Sequence, residues 1–406
     1  MFLKMIRKNK EDKDALAPQA TLIPMRWLIV GGFVVLVMIA LVIRIKFINF
    51  QSMDYQFFLV HWFAYIHEHG FSAFSSNFSN YNLPYLYLMY VADVLGIPDI
   101  IAVKGISIVF DFILAYSIYL VVRHFNPKGL LPYAAGIITL FLPTVMLNGS
   151  FWGQCDAIYA SFIVFSLYSA LKNRQIAMWI FWGIAITFKL QAAFFLPFLV
   201  YIWLTRTNKQ WWAPIVSIPV FFLPFIPALI AGRSFNSILS IYRDQTGISS
   251  LVANAPSLYQ WIPAQFYDYF NATGVLLTAA IVILIGLFAL IYRRFNDKGL
   301  LLFATALLFT IPFFLPQMHE RYFFLAEIFA FILAFSIQNR KFLLIAVIAQ
   351  LVGFLAYTPF LFGLIIPVIS LPQLSLVQLG VVLTLLYWSL LDNKNKKTLS
   401  AIKFTT

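Results

Sequence analysis

Long apolar runs, separated by short polar or charged segments, dominate the chain from about residue 26 onwards. A helix that crosses about 30 Å of hydrocarbon needs roughly 17 to 25 apolar residues, and it satisfies its own backbone hydrogen bonds. Division of the chain at charges and turn residues predicts an all-α polytopic membrane protein with about twelve transmembrane helices. Their predicted positions are 26–46, 101–122, 130–147, 156–171, 175–188, 190–204, 213–231, 273–292, 300–315, 323–337, 342–358 and 375–391.

The composition agrees with a lipid environment. Hydrophobic residues make up 62% of the chain and charged residues 11%, whereas soluble domains carry roughly a quarter charged residues. The net charge of +13 would point to nucleic acid in a soluble protein. In a membrane protein it is the expected result of basic residues in short inner loops. No nucleic-acid partner is therefore expected.

The distribution of basic residues predicts the orientation. With the N-terminus inside, 21 of the 28 Lys and Arg residues fall in inner segments, as the positive-inside rule requires. This arrangement predicts a cytoplasmic tail over 1–24, a single transmembrane domain over 25–392 and a second cytoplasmic tail over 393–406. A cleavable signal peptide is not expected, because no small-residue cleavage site ends the first apolar run. The seven remaining basic residues are Arg44, Lys46, Lys104, Lys189, Arg233, Arg243 and Arg321.

Two long stretches, 47–100 and 232–272, are predicted on the outer side. Both are rich in aromatic residues, Asn and Pro, and they are too apolar to be free linkers, so interfacial helices and ordered loops are expected there. The segment 357–374 contains Pro359, Pro367 and Pro372 and could hold an additional re-entrant pair of helices.

A hairpin is predicted where Lys189 interrupts the apolar run 176–204. A single helix of about 29 residues would be roughly 43 Å long and would place the ammonium mid-bilayer, at a cost of roughly 2.5 to 3.5 kcal/mol. Two short helices instead carry Lys189 and Gln191 to a turn below the outer surface. Residues 152–156 and 317–322 form similar polar turns on the same side. We expect the three turns to line a functional cavity, although each could merely cap a helix or pair with a neighbour.

Asp54 is a candidate general base. It is the one acid in the aromatic, apolar stretch 50–57, directly after the first helix, where it could take a proton from a hydroxyl group. The alternative is that it caps a helix end.

The order of these segments resembles the GT-C membrane glycosyltransferases, in particular the bacterial relatives of GPI mannosyltransferase II. The matching segments are 53–55, 151–157, 187–192, 254–259 and 319–322. The resemblance implies a polyprenyl-phosphate-linked sugar donor, a hydroxyl acceptor (glycan, lipid or protein) on the extracytoplasmic face, and transfer with inversion. It also implies a multi-pass protein of a bacterial cytoplasmic membrane, with Asp54 as the base.

A phosphate leaving group needs positive charge, which Lys189, His319 and Arg321 could supply. A glycosidase would need two acids roughly 5 to 10 Å apart, whereas only Asp54 resembles the family's base. No Asp-x-Asp motif occurs on the outer side, so a metal-bound nucleotide-sugar donor is not supported. The resemblance implies a lipid-phosphate donor, for which neither a metal nor another cofactor is expected. The expected substrate-binding residues are Tyr55, Gln154, Asp156, Lys189, Gln191, Asn254, Tyr259, His319, Glu320, Arg321 and Tyr322.

Two other functions fit a polytopic chain. A transporter or lipid-carrier flippase would place polar sites near the midplane between structural repeats, but the sequence shows neither repeats nor polar residues through the inner half. The other is a non-catalytic subunit of an envelope-polymer assembly complex. The sequence leaves the sugar and the acceptor open.

Overall fold

Helices form nearly all of the regular structure. The computed structural model describes residues 25–244, 250–363 and 369–391. The expected tails over 1–24 and 393–406, and the centre of the ambiguous segment 357–374, lie outside these residues. The contacts divide the chain into two units, Met1–Val42 and Ile43–Thr406. What is described of the first unit is an apolar helix; all further elements belong to the second.

The described residues contain seventeen α-helices and one pair of short strands. Several helices are extended by a 3-10 or π turn at one end. In chain order the helices are α1 Met25–Lys46, α2 Val60–His69, α3 Leu83–Val94, α4 Asp99–Phe125, α5 Leu131–Thr139, α6 Pro143–Met146, α7 Asp156–Leu171, α8 Gln175–Phe188, α9 Leu196–Thr205, α10 Ser217–Phe222, α11 Ile226–Ile230, α12 Phe235–Asp244, α13 Tyr267–Tyr292, α14 Asp297–Phe314, α15 Phe324–Ile337, α16 Arg340–Phe362 and α17 Leu371–Leu386, and the strands are β1 Val252–Ala253 and β2 Met318–His319.

The polytopic helical architecture is confirmed, but the count of twelve spans is not. In the described part of the chain, seven helices are long and apolar enough to cross a membrane, and α5 with the segment Pro143–Trp152 makes an eighth if this pair, bent by 42°, is one span. The predicted helices 156–171 and 175–188 have the predicted bounds. They and Leu190–Thr205 are shorter than a full span.

The hairpin predicted around Lys189 is present. Lys189 has an extended backbone that ends α8, and a new helical segment begins at Leu190. At the other end of the hairpin, the Gln175 side chain donates to the carbonyl of Asn208 at 2.7 Å and accepts from the amide of Gln210 at 2.9 Å. These contacts require antiparallel helices, because a single helix would separate the residues by roughly 50 Å.

The core lies around α7, α14 and α15, which are buried on nearly all sides. Helices that are apolar all round pack inside a bundle rather than at its surface. The strands β1 and β2 pair in parallel, with Ala253 opposite His319. This pairing fixes the loop after residue 250 beside the polar turn 317–322.

The first outer stretch is helical, as predicted. Residues 53–69 form one continuous helix that consists of a π turn over Tyr55–Leu59 and α2. After it comes α3, and the two helices pack with the start of α4 around a cluster of buried aromatic and aliphatic side chains. This packing positions Asp54, which lies in the first turn of the 53–69 helix.

Candidate active site

The three polar turns meet at one end of the helical bundle. Arg321 Nη1, from the turn 317–322, donates to Gln154 Oε1, from the turn 152–156. Lys189 Nζ, from the hairpin, forms an ion pair with Asp156 Oδ1. Side chains more than 160 positions apart thus share one polar cluster, as the sequence predicted.

Asp54 joins this cluster through one carboxylate oxygen. Its Oδ2 accepts hydrogen bonds from Trp152 Nε1 at 2.8 Å and from Gln154 Nε2 at 2.5 Å. Its Oδ1 makes no hydrogen bond within the described residues, and the side chain is partly exposed. The carboxylate is therefore held in a defined orientation with one oxygen left to react.

Gln154 connects Asp54 to the cationic side of the cluster. Its amide nitrogen donates to Asp54, while its Oε1 accepts from the Tyr81 hydroxyl at 2.6 Å and from Arg321. The amide is 1% exposed, and these partners allow only one assignment of its oxygen and nitrogen. The Gln154 side chain alone therefore connects Arg321 to Asp54, and a substitution of Arg321 would alter the hydrogen bonding of Asp54 through it.

Both carboxylate oxygens of Asp156 have partners. Its Oδ2 accepts from Asn148 Nδ2 at 2.7 Å, and its Oδ1 pairs with Lys189. The Lys189 ammonium also lies 5.9 Å from the centre of the Tyr81 ring. Each oxygen of Asp156 thus has a partner, and the carboxylate holds the Lys189 ammonium in place.

A cavity of about 650 Å³ opens beside the cluster. Its polar wall includes Lys189, Gln191, His319, Arg321 and Tyr322, all of them predicted substrate-binding residues. Its apolar wall comes from Phe188, Phe194, Leu315 and Pro316, among others. Two cations next to apolar surface suit a ligand with an anionic head and a hydrocarbon chain.

His319 does not supply positive charge, contrary to the sequence-based expectation. Burial, together with the nearby charges of Arg321 and Lys189, lowers the pKa of His319 to about 3. The imidazole is therefore neutral at pH 7, where it can donate or accept a hydrogen bond. The charge that faces the cavity comes from Lys189 and Arg321.

Glu320 faces away from solvent and is 1% exposed. Burial raises its pKa to about 8, so the carboxyl group is mostly protonated at pH 7. Its Oε2 is buried without a hydrogen-bond partner among the described residues. A neutral Glu320 adds no negative charge against an anionic ligand.

Six predicted substrate-binding residues do not line the cavity. Gln154, Asp156 and Glu320 belong to the polar turns beside it, whereas Tyr55, Tyr259 and Asn254 make other contacts. The Tyr55 ring is buried with its hydroxyl beside Asp99; burial and that carboxylate raise the pKa of Tyr55. Tyr259 donates its hydroxyl to the carbonyl of Phe314 at 2.9 Å. Asn254 has a left-handed backbone, with φ 58°, and bridges the backbone of His319. Tyr259 and Asn254 therefore contact the backbone around the turn 317–322 and stabilise it.

Sequence reasoning missed four side chains that hold the site together: Tyr81, Lys104, Asn148 and Trp152. Trp152 lies within a segment that already carried the family resemblance, and Lys104 was one of seven basic residues predicted outside the inner loops. Either feature could have drawn attention to them. Tyr81 has no such signal, because only the packing of distant segments brings it to Gln154. Asn148 lies eight positions before Asp156, and the polar turn between them brings the two side chains together.

One face of α4 supports the segments that carry Asp54 and Gln154. Lys104 Nζ lies within hydrogen-bond distance of four backbone carbonyls, those of Phe47, Phe50, Ser150 and Phe151, and its three N–H groups are shared among them. One turn further along, Ser107 Oγ donates to the carbonyl of Gln154 at 2.8 Å.

Asp111, on the same face of α4, pairs with Arg44 at 2.9 Å. Gly149 approaches Asp111 so closely that a Cβ would lie 2.9 Å from its Oδ2. Any larger residue at this position would displace the Asp111 carboxylate from its present place.

No protein-family model matches the chain, and none of the curated proteins matches it significantly. Among solved structures, the chain is similar to ArnT from Cupriavidus metallidurans, which was crystallised bound to undecaprenyl phosphate. The TM-score is 0.53, and the match covers 89% of this chain and 77% of that chain. The chain has the GT-C fold. At 13% identity the GT-C match shows the architecture alone, and it does not single out the relatives of GPI mannosyltransferase II.

Proposed function

We propose that this protein is an inverting glycosyltransferase that moves a sugar from a polyprenyl-phosphate donor to a hydroxyl acceptor, with Asp54 as the general base. The observation that carries the proposal is the connection from a half-free carboxylate, through Gln154, to an arginine that lines an amphipathic cavity. The GT-C neighbour bound to undecaprenyl phosphate supports the choice of donor.

Lys189 and Arg321 would bind the phosphate of the donor. Departure of the polyprenyl phosphate leaves negative charge on its oxygens, and two fixed cations stabilise that charge as it develops. Arg321 stays aligned because it lies 5.5 Å from the centre of the Trp152 ring and bonds to Gln154. The apolar wall of the cavity would take the first prenyl units.

Asp54 would activate the acceptor. Its Oδ1 takes the hydroxyl proton as the acceptor oxygen attacks the anomeric carbon from the side opposite the phosphate. One bond from the anomeric carbon to the acceptor oxygen forms, the bond to the phosphate oxygen breaks, and the configuration inverts. The phosphate leaves as an anion, so no general acid is needed. Asp54 afterwards releases its proton to solvent.

The site would face the extracytoplasmic side. The opposite end of the bundle is where Gln175 meets Asn208 and where His124 pairs with Asp297 at 2.7 Å. Basic residues are concentrated in the loops at that end, which is the arrangement expected of a cytoplasmic surface. Both termini would then be cytoplasmic, in a bacterial cytoplasmic membrane. A hexose, with mannose favoured by the family resemblance, is the proposed sugar.

Release of carrier phosphate tests the proposal. The full chain in lipid nanodiscs would be mixed with polyprenyl-phosphate mannose or glucose and a mixture of envelope glycans, and free polyprenyl phosphate would be quantified. Arg321→Gln should reduce release about 100-fold or more. Arg340→Gln, an exposed arginine at the opposite end, is the matched control and should leave release unchanged.

Two outcomes would contradict the proposal. One is the absence of carrier-phosphate release with every donor. The other is movement of intact labelled donor across proteoliposomes without cleavage, which would indicate a flippase.

A further inference from the structure

A second recess, of about 310 Å³, adjoins the cavity that contains Lys189 and Arg321. The two spaces share Asn80 and Asp244 as a common wall. The other lining residues of the second recess are Phe58, Trp62, Asn77, Phe78, Ser79 and Ile241. A ligand in one recess would therefore lie next to a ligand in the other.

The helix over 53–69 connects this recess to Asp54. Asp54, Phe58 and Trp62 are spaced four residues apart, which places them on one face of the helix. The rings of Phe58 and Trp62 lie 5.9 Å apart, and Phe58 is 45% exposed. The aromatic floor of the recess thus begins about one turn, roughly 6 Å along the axis, from the carboxylate.

The polar side of the recess has a fixed geometry. Arg233, which is 3% exposed, donates from Nη2 to the Asn77 amide oxygen at 2.6 Å and from Nε to Ser237 Oγ at 3.1 Å. Because its oxygen is occupied, the Asn77 amide has its nitrogen left to donate; that nitrogen makes no hydrogen bond within the described residues. A buried arginine thus orients one amide at the edge of the recess.

Aromatic rings beside amide and carboxylate groups are the chemistry that binds carbohydrate. The C–H face of a sugar ring packs on an aromatic face, and its hydroxyls bond to amides and carboxylates at the edge. The volume lies at the small end of the range for ligand pockets, about 300 to 1,000 Å³, which suits one or two sugar rings.

We propose that this recess binds the sugar ring that carries the acceptor hydroxyl, so that the acceptor is a glycan. The proposal rests on the proposed glycosyltransferase function. It assigns the donor to the cavity with the two cations and the acceptor to the recess beside Phe58, with Asp54 between them. Asn77 and Phe58 would then determine which acceptor is used.

The test compares Phe58→Ala and Asn77→Ala with Phe57→Ala. Phe57 is the neighbouring phenylalanine, is 63% exposed and does not line the recess, so it is a matched control. Methyl glycosides of glucose, galactose, mannose and N-acetylglucosamine serve as probes. Their binding to the full chain in nanodiscs is measured by saturation-transfer NMR without donor, and their KM as acceptors is measured with a polyprenyl-phosphate hexose.

At least one glycoside should bind to the wild type and to Phe57→Ala, with its signal lost in Phe58→Ala and Asn77→Ala. The acceptor KM should rise about tenfold in both recess variants while the donor KM stays unchanged. Absence of glycoside binding, equal binding by all variants, or transfer to a Ser/Thr peptide in place of glycosides would overturn the assignment. Glycoside binding without any transfer would instead support the recess and contradict the transferase proposal.

Discussion

The carboxylate of Asp54 accepts a hydrogen bond from the side-chain amide of Gln154, one hundred positions further along the chain. The same amide accepts from Arg321, so one glutamine aligns an acid and a cation that no local segment could bring together. The two carboxylate oxygens of Asp54 therefore differ. Oδ2 accepts hydrogen bonds from Trp152 and Gln154, whereas Oδ1 accepts none within the described residues. This arrangement is consistent with the role of general base that we propose for Asp54.

Asp54→Asn should abolish transfer. The amide is isosteric with the carboxylate and can still accept from Trp152 and Gln154, but it cannot take a proton. The rate of carrier-phosphate release should fall by about 10² to 10⁴, with little change in the donor KM. Glu68→Gln, an exposed acid on the same helix, should keep the wild-type rate. Full activity of Asp54→Asn in a folded protein would refute the base assignment.

Removal of one partner of the Asp156 and Lys189 pair should destabilise the protein. Lys189→Met leaves a buried carboxylate without its cation, at a cost of about 3 to 5 kcal/mol. The double variant Asp156→Asn with Lys189→Met should recover most of that stability in denaturant unfolding, yet it should remain inactive because the cation at the cavity is missing. Recovery of activity in the double variant would show that Lys189 does not act on the phosphate.

Stability should depend on pH through Glu320. Burial raises its pKa from its usual 4.5 to about 8, so the folded state favours the protonated form. Its contribution is complete below about pH 4.5 and is lost as the pH rises through 8. The thermal midpoint of the wild type should decline between about pH 4.5 and pH 8, and the decline should be smaller in Glu320→Gln. Equal pH profiles for both proteins would contradict the assignment.

Lys104→Met should impair catalysis through the position of Asp54. The lysine ammonium contacts backbone carbonyls of two segments. Phe47 and Phe50 lie in the segment that leads to Asp54, and Ser150 and Phe151 lie in the segment that leads to Gln154. Without it the two segments can separate, and a displacement of about 1 Å can cost 100-fold in rate. We expect kcat to fall while the donor KM changes little, and Lys104→Arg to recover part of the rate. Lys46→Met, an exposed lysine, is the control. A fall in stability with unchanged kcat would show a purely structural role.

Much of the candidate site could be predicted because each polar turn interrupts an apolar run. The turns at 152–156, at Lys189 and at 317–322 stand out in the sequence, and the hydrocarbon environment makes such interruptions costly unless they share one polar space. The charges that face the cavity differ from the prediction. Burial, and after it the charges of Arg321 and Lys189, lower the pKa of His319 and keep it neutral, and that burial is not a property of residues 317–322 alone.

The roles of Tyr55, Asn254 and Tyr259 could not be predicted either. Each lies in a segment that resembles the family pattern, but side-chain direction depends on tertiary packing. Tyr259 bonds to the backbone of α14 and Asn254 to the backbone of His319, so both support the turn without lining the cavity.

The sequence by itself determined that this chain folds in lipid as a bundle of apolar helices, and it gave the bounds of two of them, 156–171 and 175–188, because hydrocarbon tolerates only apolar helices with internally paired backbones. It also determined which polar turns share one side. Only the tertiary structure decided that Gln154 joins Asp54 to Arg321, that Asp156 is occupied by Lys189 and Asn148, and that an aromatic recess adjoins the cavity. Except for the nearby Asn148, the partners in these contacts lie far apart in the chain and meet only through tertiary packing, which neither apolar periodicity nor loop charge encodes.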